Sequence, residues 1–281
     1  MQSVPRKVLV RLKGGMGNQL FQYGFALHLA NGDPRNVLCL LDYFQRDARH
    51  GGFALRELLG PEVVTLEAPP AGQHWAYLNA DPMADADLSA LRNSSCDILV
   101  DGYFQHVANF SPVAGKLKSM FLGQFDQDHY AARLRGMFSP GTDQALVAIH
   151  LRRGDFLDPG VRRAHGIPEP QSMLGCLARL SARQYSAVVF SDSSVEISLP
   201  CQSICLSGDA PRSLTGDVEQ LRLMACCNWI IASNSTFGYW AGILSNSVEQ
   251  MFIPDPWMRS GSVRTQSLLA PQIEAYGTHL L

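Results

Sequence analysis

The chain has 281 residues, enough to bury an ample α/β core as one large domain or as two of about 120 to 150 residues. With 46% hydrophobic and 17% charged residues and a formal net charge of −2, it has no global attraction for nucleic acid or an anionic membrane, so any anion site must be local. Its seven cysteines (39, 96, 176, 201, 205, 226 and 227) follow no metal-ligand spacing and read as reduced thiols, with Cys226 and Cys227 as small core filler.

Residues 1–7 run directly into strand-like Val8–Leu12, with no apolar signal-peptide core, and no stretch reaches the roughly 18 apolar residues of a membrane span. The expected location is the cytoplasm, with no integral membrane segment and a peripheral membrane contact left open. A loop over 13–18 precedes a helical pattern carried by Leu20, Phe21, Phe25, Leu27 and Leu29, which Asn31 to Pro34 ends. Strand-like Val37–Leu41 then completes a βαβ unit, the signature of a parallel sheet.

Residues 60–95 lack periodicity and read as loops and short elements bordering a cleft. Ile98–Gln105 reads as a strand with a polar, aromatic tip, and 113–138 as mostly helical up to Ser139-Pro-Gly141. The domain boundary is expected there, giving domains 1–140 and 141–281.

The second half repeats the grammar with strands at Ala145–Ile149, Ala187–Phe190, Ile204–Leu206 and Trp229–Ala232 and helices near 170–182, 217–227 and 237–245. Asp217 to Gln220 resembles a capping box opening one of them. The expectation is two Rossmann-like α/β domains, with ligands beyond the carboxyl ends of the strands. His150–Asp155, Ser191-Asp192 and Ser233–Thr236 are three polar clusters that fall at such ends.

A departing diphosphate needs its growing charge neutralised, and arginine with helix-start amides can do so without a metal. Arg152 and Arg153 supply the cations; adjacent side chains in an extended segment point opposite ways, so one faces the phosphates, Arg153 by preference, and the other packs or pairs elsewhere. A solvated arginine pair bridged to Asp155 is the bland alternative. Ser233 to Thr236 precedes a helix and reads either as phosphate lining or as a plain N-cap. The loop Gly14 to Gln19 lacks the spacing of a dinucleotide fingerprint or P-loop, but its glycines permit close backbone approach and Asn18 and Gln19 offer polar contacts. Asp85/Asp87 and Asp126/Asp128 have the spacing of a metal-binding carboxylate pair without a convincing preceding strand, so no metal and no cofactor are expected. His28, His50, His74, His106, His129 and His279 show no ligand spacing.

Several blocks together resemble the bacterial α-1,2-fucosyltransferases of glycosyltransferase family 11: 14–23, 101–105, 150–156, 190–192, 232–240 and 253–257, in that order. The resemblance implies a GT-B-type arrangement, two Rossmann-like domains facing a cleft. GDP-fucose would lie mainly on the C-terminal half, and a galactose-terminated oligosaccharide or glycolipid would be approached partly by the N-terminal half. It implies Arg153 as β-phosphate ligand with Arg152, His150 and Asp155 beside it, Asp192 near base or ribose, and Ser235, Thr236 and Phe237 as phosphate and nucleoside lining. Gly15, Asn18, Gln19 and Gln105 would lie on the sugar and acceptor side. Asp155 is the first candidate for a general base, His150 the second, and a base-free path the third. The chain departs from the family pattern at Gln171 to Leu174, where a tyrosine pair is usual, and at Ser193, where a second aspartate is common. A transferase of another donor or linkage and a noncatalytic sugar-nucleotide or glycan binder are the competing readings.

Overall fold

A computed structural model describes residues 6–46, 52–79, 96–139, 144–180, 184–207 and 216–281. The chain divides into two compact units, Met1–Gln124 and Phe125–Leu281.

The first unit is built on a parallel sheet of order β3-β2-β1-β5-β4: β1 Val8–Arg11, β2 Val37–Leu40, β3 Val64–Leu66, β4 Ala76–Asn79 and β5 Ile98–Asp101. The central strand β1 is a short apolar run buried at Val8, Leu9 and Val10, as a strand covered on both faces requires. Helix α1, Met16–Leu29, is buried nearly all round, so its polar side chains must find partners inside. Gln22 and His28 do: the Gln22 amide exchanges hydrogen bonds with the Lys13 backbone, and His28 Nδ1 lies 2.9 Å from the Asn109 carbonyl oxygen, whereas the buried Tyr23 hydroxyl has no hydrogen-bond partner among the described residues. Two short strands, β3 and β4, lie within the stretch read as loops; both are largely exposed edge strands with no apolar alternation to reveal them. Helix α2, Leu55–Leu59, and helix α3, Ala114–Leu122, complete the unit.

The helical stretch 113–138 is two helices. The chain breaks at Gly123–Asp126, where the Asp126 carboxylate caps α4, Gln127–Arg135, by accepting the His129 N–H at 3.1 Å. This moves the domain boundary from 140 to 124, because α4 packs in the second unit. Tyr130 donates to Glu219 at 2.6 Å, Arg133 pairs with the same carboxylate at 3.4 Å, and Cys226 Sγ donates to the Gln127 carbonyl oxygen at 3.7 Å.

The second unit carries a parallel sheet of order β11-β10-β9-β6-β7-β8: β6 Ala145–Leu151, β7 Tyr185–Ser191, β8 Ser203–Leu206, β9 Trp229–Ala232, β10 Gln250–Asp255 and β11 Ile273–Gly277. Strand order reverses between β6 and β9. Its helices are α5 Pro159–His165, α6 Pro170–Ala178, α7 Asp217–Ala225 and α8 Thr236–Leu244. Helix α7 starts from Gly216, so Asp217 is its first helical residue and not the cap of a capping box. Tyr239, Trp240 and Leu244 of α8 are fully buried, each contributing roughly 1.5–3 kcal/mol of apolar burial that seats the helix against β9 and β10. Cys226 and Cys227 are buried free thiols, and burial pushes both pKa values up.

Candidate active site

The carboxyl ends of β6 and β9 meet at the strand-order reversal, the place where open α/β sheets take ligands. His150 pairs in register with Ala232, and two hydrogen bonds lock the segments that follow. Ser233 N–H donates to the His150 carbonyl oxygen at 2.9 Å, and Ser233 Oγ accepts the Arg152 N–H at 3.0 Å. On the other side Leu151 pairs with Ser191 of β7, which delivers Asp192 to the same loop.

Asp192 organises that loop. Its Oδ1 accepts the N–H groups of Arg153 and Gly154 at 2.8 and 2.9 Å, and its Oδ2 lies 2.8 Å from Arg152 Nη1. A Cβ at Gly154 would sit 2.7 Å from Asp192 Oδ2, so this close approach demands glycine. The second terminal nitrogen of Arg152 reaches Asp155 at 2.6 Å, and its guanidinium lies 5.8 Å from the Phe156 ring centroid. Arg152 is thereby held by two carboxylates. Among the described residues the Arg153 guanidinium makes no hydrogen bond or ion pair, although the side chain stands on the same loop, half-buried.

Helix α8 begins shortly after Ser233, whose hydroxyl holds the Arg152 N–H of this loop. Its N-cap Ser235 is extended and its hydroxyl makes no cap hydrogen bond, so the first-turn amides are not closed off by the side chain that a plain N-cap would have used. Thr236 and Phe237 are half-buried, and the Phe237 ring centroid is 5.5 Å from that of His150. His150 itself is buried with Nδ1 unpartnered among the described residues. Burial first, and the Arg152 charge second, push its pKa down to about 4, against a smaller opposing pull from Asp192. The imidazole is therefore neutral at neutral pH.

The structure thus brings together His150, Arg152, Arg153, Asp155, Asp192, Ser235, Thr236 and Phe237. It also shows that Arg152 and Asp192, read as ligand contacts, have charged partners within the loop. Sequence reasoning placed Gly238 and Asn234 inside its blocks but missed what they do: the missing side chain of Gly238 lets α8 lie against His150, and Asn234 Nδ2 donates to the His165 and Gly166 carbonyl oxygens at 3.0 and 3.1 Å. It missed His165 as well, whose ring is 4.8 Å from Phe156 and whose pKa burial lowers. The partners of these residues are remote in sequence, and no local signal marks them.

In the first unit, Gly15 is the N-cap of α1 and its carbonyl accepts from Asn18 and Gln19 N–H. Asn18 Oδ1 accepts from Gln105 Nε2 at 2.8 Å, joining two of the predicted sugar-side residues. Gln19 is different: it is fully buried and its amide is spent on the Gly14 and Gly52 carbonyl oxygens and the Ala54 N–H, a bracing role in place of the expected sugar contact. Of the carboxylate pairs, Asp126 caps α4, and Asp85 and Asp87 lie outside the described residues.

The profile of Glycosyl transferase family 11 matches residues 129–267, which include every cluster of this site. An α-1,2-colitosyltransferase of Escherichia coli is 24% identical over 277 residues, covering 89% of this chain and 92% of that protein. Among solved structures, a mutant of Arabidopsis thaliana FUT1 in complex with GDP aligns at TM-score 0.51 and 13% identity, over 95% of this chain and 75% of that one. The NodZ α-1,6-fucosyltransferase of Bradyrhizobium, co-crystallised with GDP, aligns at 0.48 and 12%, over 88% and 94%. The paired parallel-sheet units are the GT-B-type glycosyltransferase architecture.

Proposed function

We propose that this chain, which belongs to glycosyl transferase family 11, is an inverting α-1,2-fucosyltransferase that moves L-fucose from GDP-β-L-fucose to the 2-hydroxyl of a terminal β-galactoside. The observation that carries the donor half of this reading is the division between two adjacent arginines: Arg152 is held by Asp155 and Asp192, while Arg153 stands uncommitted on the loop next to the start of α8. An uncommitted guanidinium and a helix start together suit a diphosphate.

In the proposed reaction the bond from the anomeric carbon to the β-phosphate oxygen breaks with its electron pair going to GDP. The galactose 2-oxygen attacks the opposite face, and its proton passes to a base or to water. Arg153 and the α8 amides stabilise the departing charge, each charge-assisted hydrogen bond contributing roughly 1.5–3 kcal/mol. A 6-deoxy sugar leaving a diphosphate passes through an oxocarbenium-like transition state that asks little of a base. That fits the two base candidates, since Asp155 is tied to Arg152 and His150 is a neutral imidazole of low basicity. In this reading Arg153 and the helix start take the place of a metal, and activity persists in excess EDTA; a strict Mg²⁺ requirement would revive the Asp85/Asp87 pair.

The E. coli relative supports one alternative donor, a colitosyl one. The deciding experiment is a donor screen over GDP- and UDP-sugars with galactose-terminated acceptors, followed by linkage analysis of the product. An α-1,2-fucosyl galactoside is expected; another sugar or linkage in the product refutes this assignment.

A further inference from the structure

The first unit also reverses its strand order, between β1 and β5, and a charged and aromatic cluster lies on the carboxyl edge there. Arg11 closes β1, Asp101 closes β5 and Asn79 closes β4, with Asn79 and Asp101 paired in register. Arg11 bridges Asp101 at 2.7 Å and Asp42 at 3.1 Å, and Lys13 Nζ lies 3.0 Å from the other oxygen of Asp101. Two cations are matched by two carboxylates, so this edge has no preference for an anion, in contrast to the loop that carries Arg153.

Beside the charges, on the exposed edge strand β4, stands Tyr77, itself 58% exposed. Its hydroxyl donates to Asp101 Oδ2 at 3.2 Å and accepts from Asn79 Nδ2 at 3.3 Å, which fixes the ring while leaving it open to solvent. On the turn after β5, Gln105 is only 6% exposed, yet its Oε1 has no partner among the described residues, an acceptor held out of water with nothing to accept. A fixed aromatic face bordered by carboxylate, amide and ammonium groups of no net charge matches a neutral sugar, whose C–H face lies on the ring while its hydroxyls reach the polar rim.

We propose that Tyr77, with Asp101, Lys13 and Asn79, forms a subsite for a neutral saccharide on the first unit. Under the transferase reading above, on which only this assignment of role rests, it holds the part of the acceptor glycan beyond the reacting galactose.

The test is saturation-transfer NMR of neutral galactose-terminated oligosaccharides, lactose and longer, against the full chain. Saturation of sugar protons by the wild type is expected, with binding weakened about ten-fold in Tyr77→Ala and largely kept in Tyr77→Phe. GDP affinity in the same samples reports on the fold, and Tyr77→Leu, which keeps apolar bulk, makes the same comparison should the alanine variant fold poorly. Failure of every neutral oligosaccharide to bind the wild type, or undiminished binding in folded Tyr77→Ala or Tyr77→Leu, overturns the proposal. Fucoside formation is assayed separately, so an absence of transfer refutes the donor reading and leaves the sugar-binding comparison standing.

Discussion

Arg152 and Asp192 face each other across the ends of two neighbouring strands, Nη1 to Oδ2 at 2.8 Å, while the other oxygen of that carboxylate accepts the backbone N–H groups of Arg153 and Gly154. One side chain at the residue after β7 thus shapes the loop after β6. The loop's first arginine becomes part of the scaffold, and the guanidinium of its second makes no hydrogen bond or ion pair among the described residues.

The two arginines should therefore behave differently on truncation. Arg153→Ala is expected to lower transfer roughly ten- to 150-fold, the equivalent of one charge-assisted hydrogen bond of about 1.5–3 kcal/mol, with little change in melting temperature. Arg152→Ala should lower both, because Asp155 and Asp192 lose their shared cation. Steady-state kinetics beside thermal denaturation check this; identical behaviour of the two variants would contradict the division.

Gly238→Ala probes the contact between α8 and His150. The added Cβ would fall 2.7 Å from His150 Nδ1 and 3.3 Å from the Ala232 Cβ. Overpacking of about 1–3 kcal/mol is expected, read as a lower urea midpoint, together with reduced transfer. An unshifted midpoint would mean that the helix start moves freely.

His150 predicts a pH dependence of stability. Its pKa falls from 6.5 to about 4 on folding, so between those values the unfolded chain binds a proton that the folded chain refuses. The stability it contributes is complete above the unfolded value and drains as pH falls towards 4, by about 3 kcal/mol in total. His165 is lowered in the same direction and adds to the trend. Denaturation midpoints across this interval should slope less steeply in His150→Phe than in the wild type.

Gln19→Leu tests the bracing role in the first unit. Removing the amide leaves the Gly14 and Gly52 carbonyl oxygens and the Ala54 N–H without their partner, at a cost of about 1–3 kcal/mol for each group that water cannot reach. A large drop in melting temperature is expected; an unchanged one would return Gln19 to the list of sugar contacts.

Legibility followed burial and locality. The strand Trp229–Ala232 was readable to its ends because a strand covered on both faces is a continuous apolar run. β3 and β4 were not, because edge strands with exposed side chains carry no such run. The break between α3 and α4 was hidden inside one helical pattern, and only the packing of Tyr130 on Glu219 gave α4 to the second unit.

The same distinction holds at the site. Sequence alone determined the α/β class, the three strand-end clusters and their family resemblance, since these depend on residue type, order and local periodicity. Which arginine is committed, why Gly154 and Gly238 must be glycine, and that Gln19 braces the loop instead of facing a sugar were decided only by the tertiary structure. Asp192 reaches Arg153 from 39 residues away, through the pairing of β7 with β6. A side chain's partner is set by distance through space, and local propensity does not encode that distance.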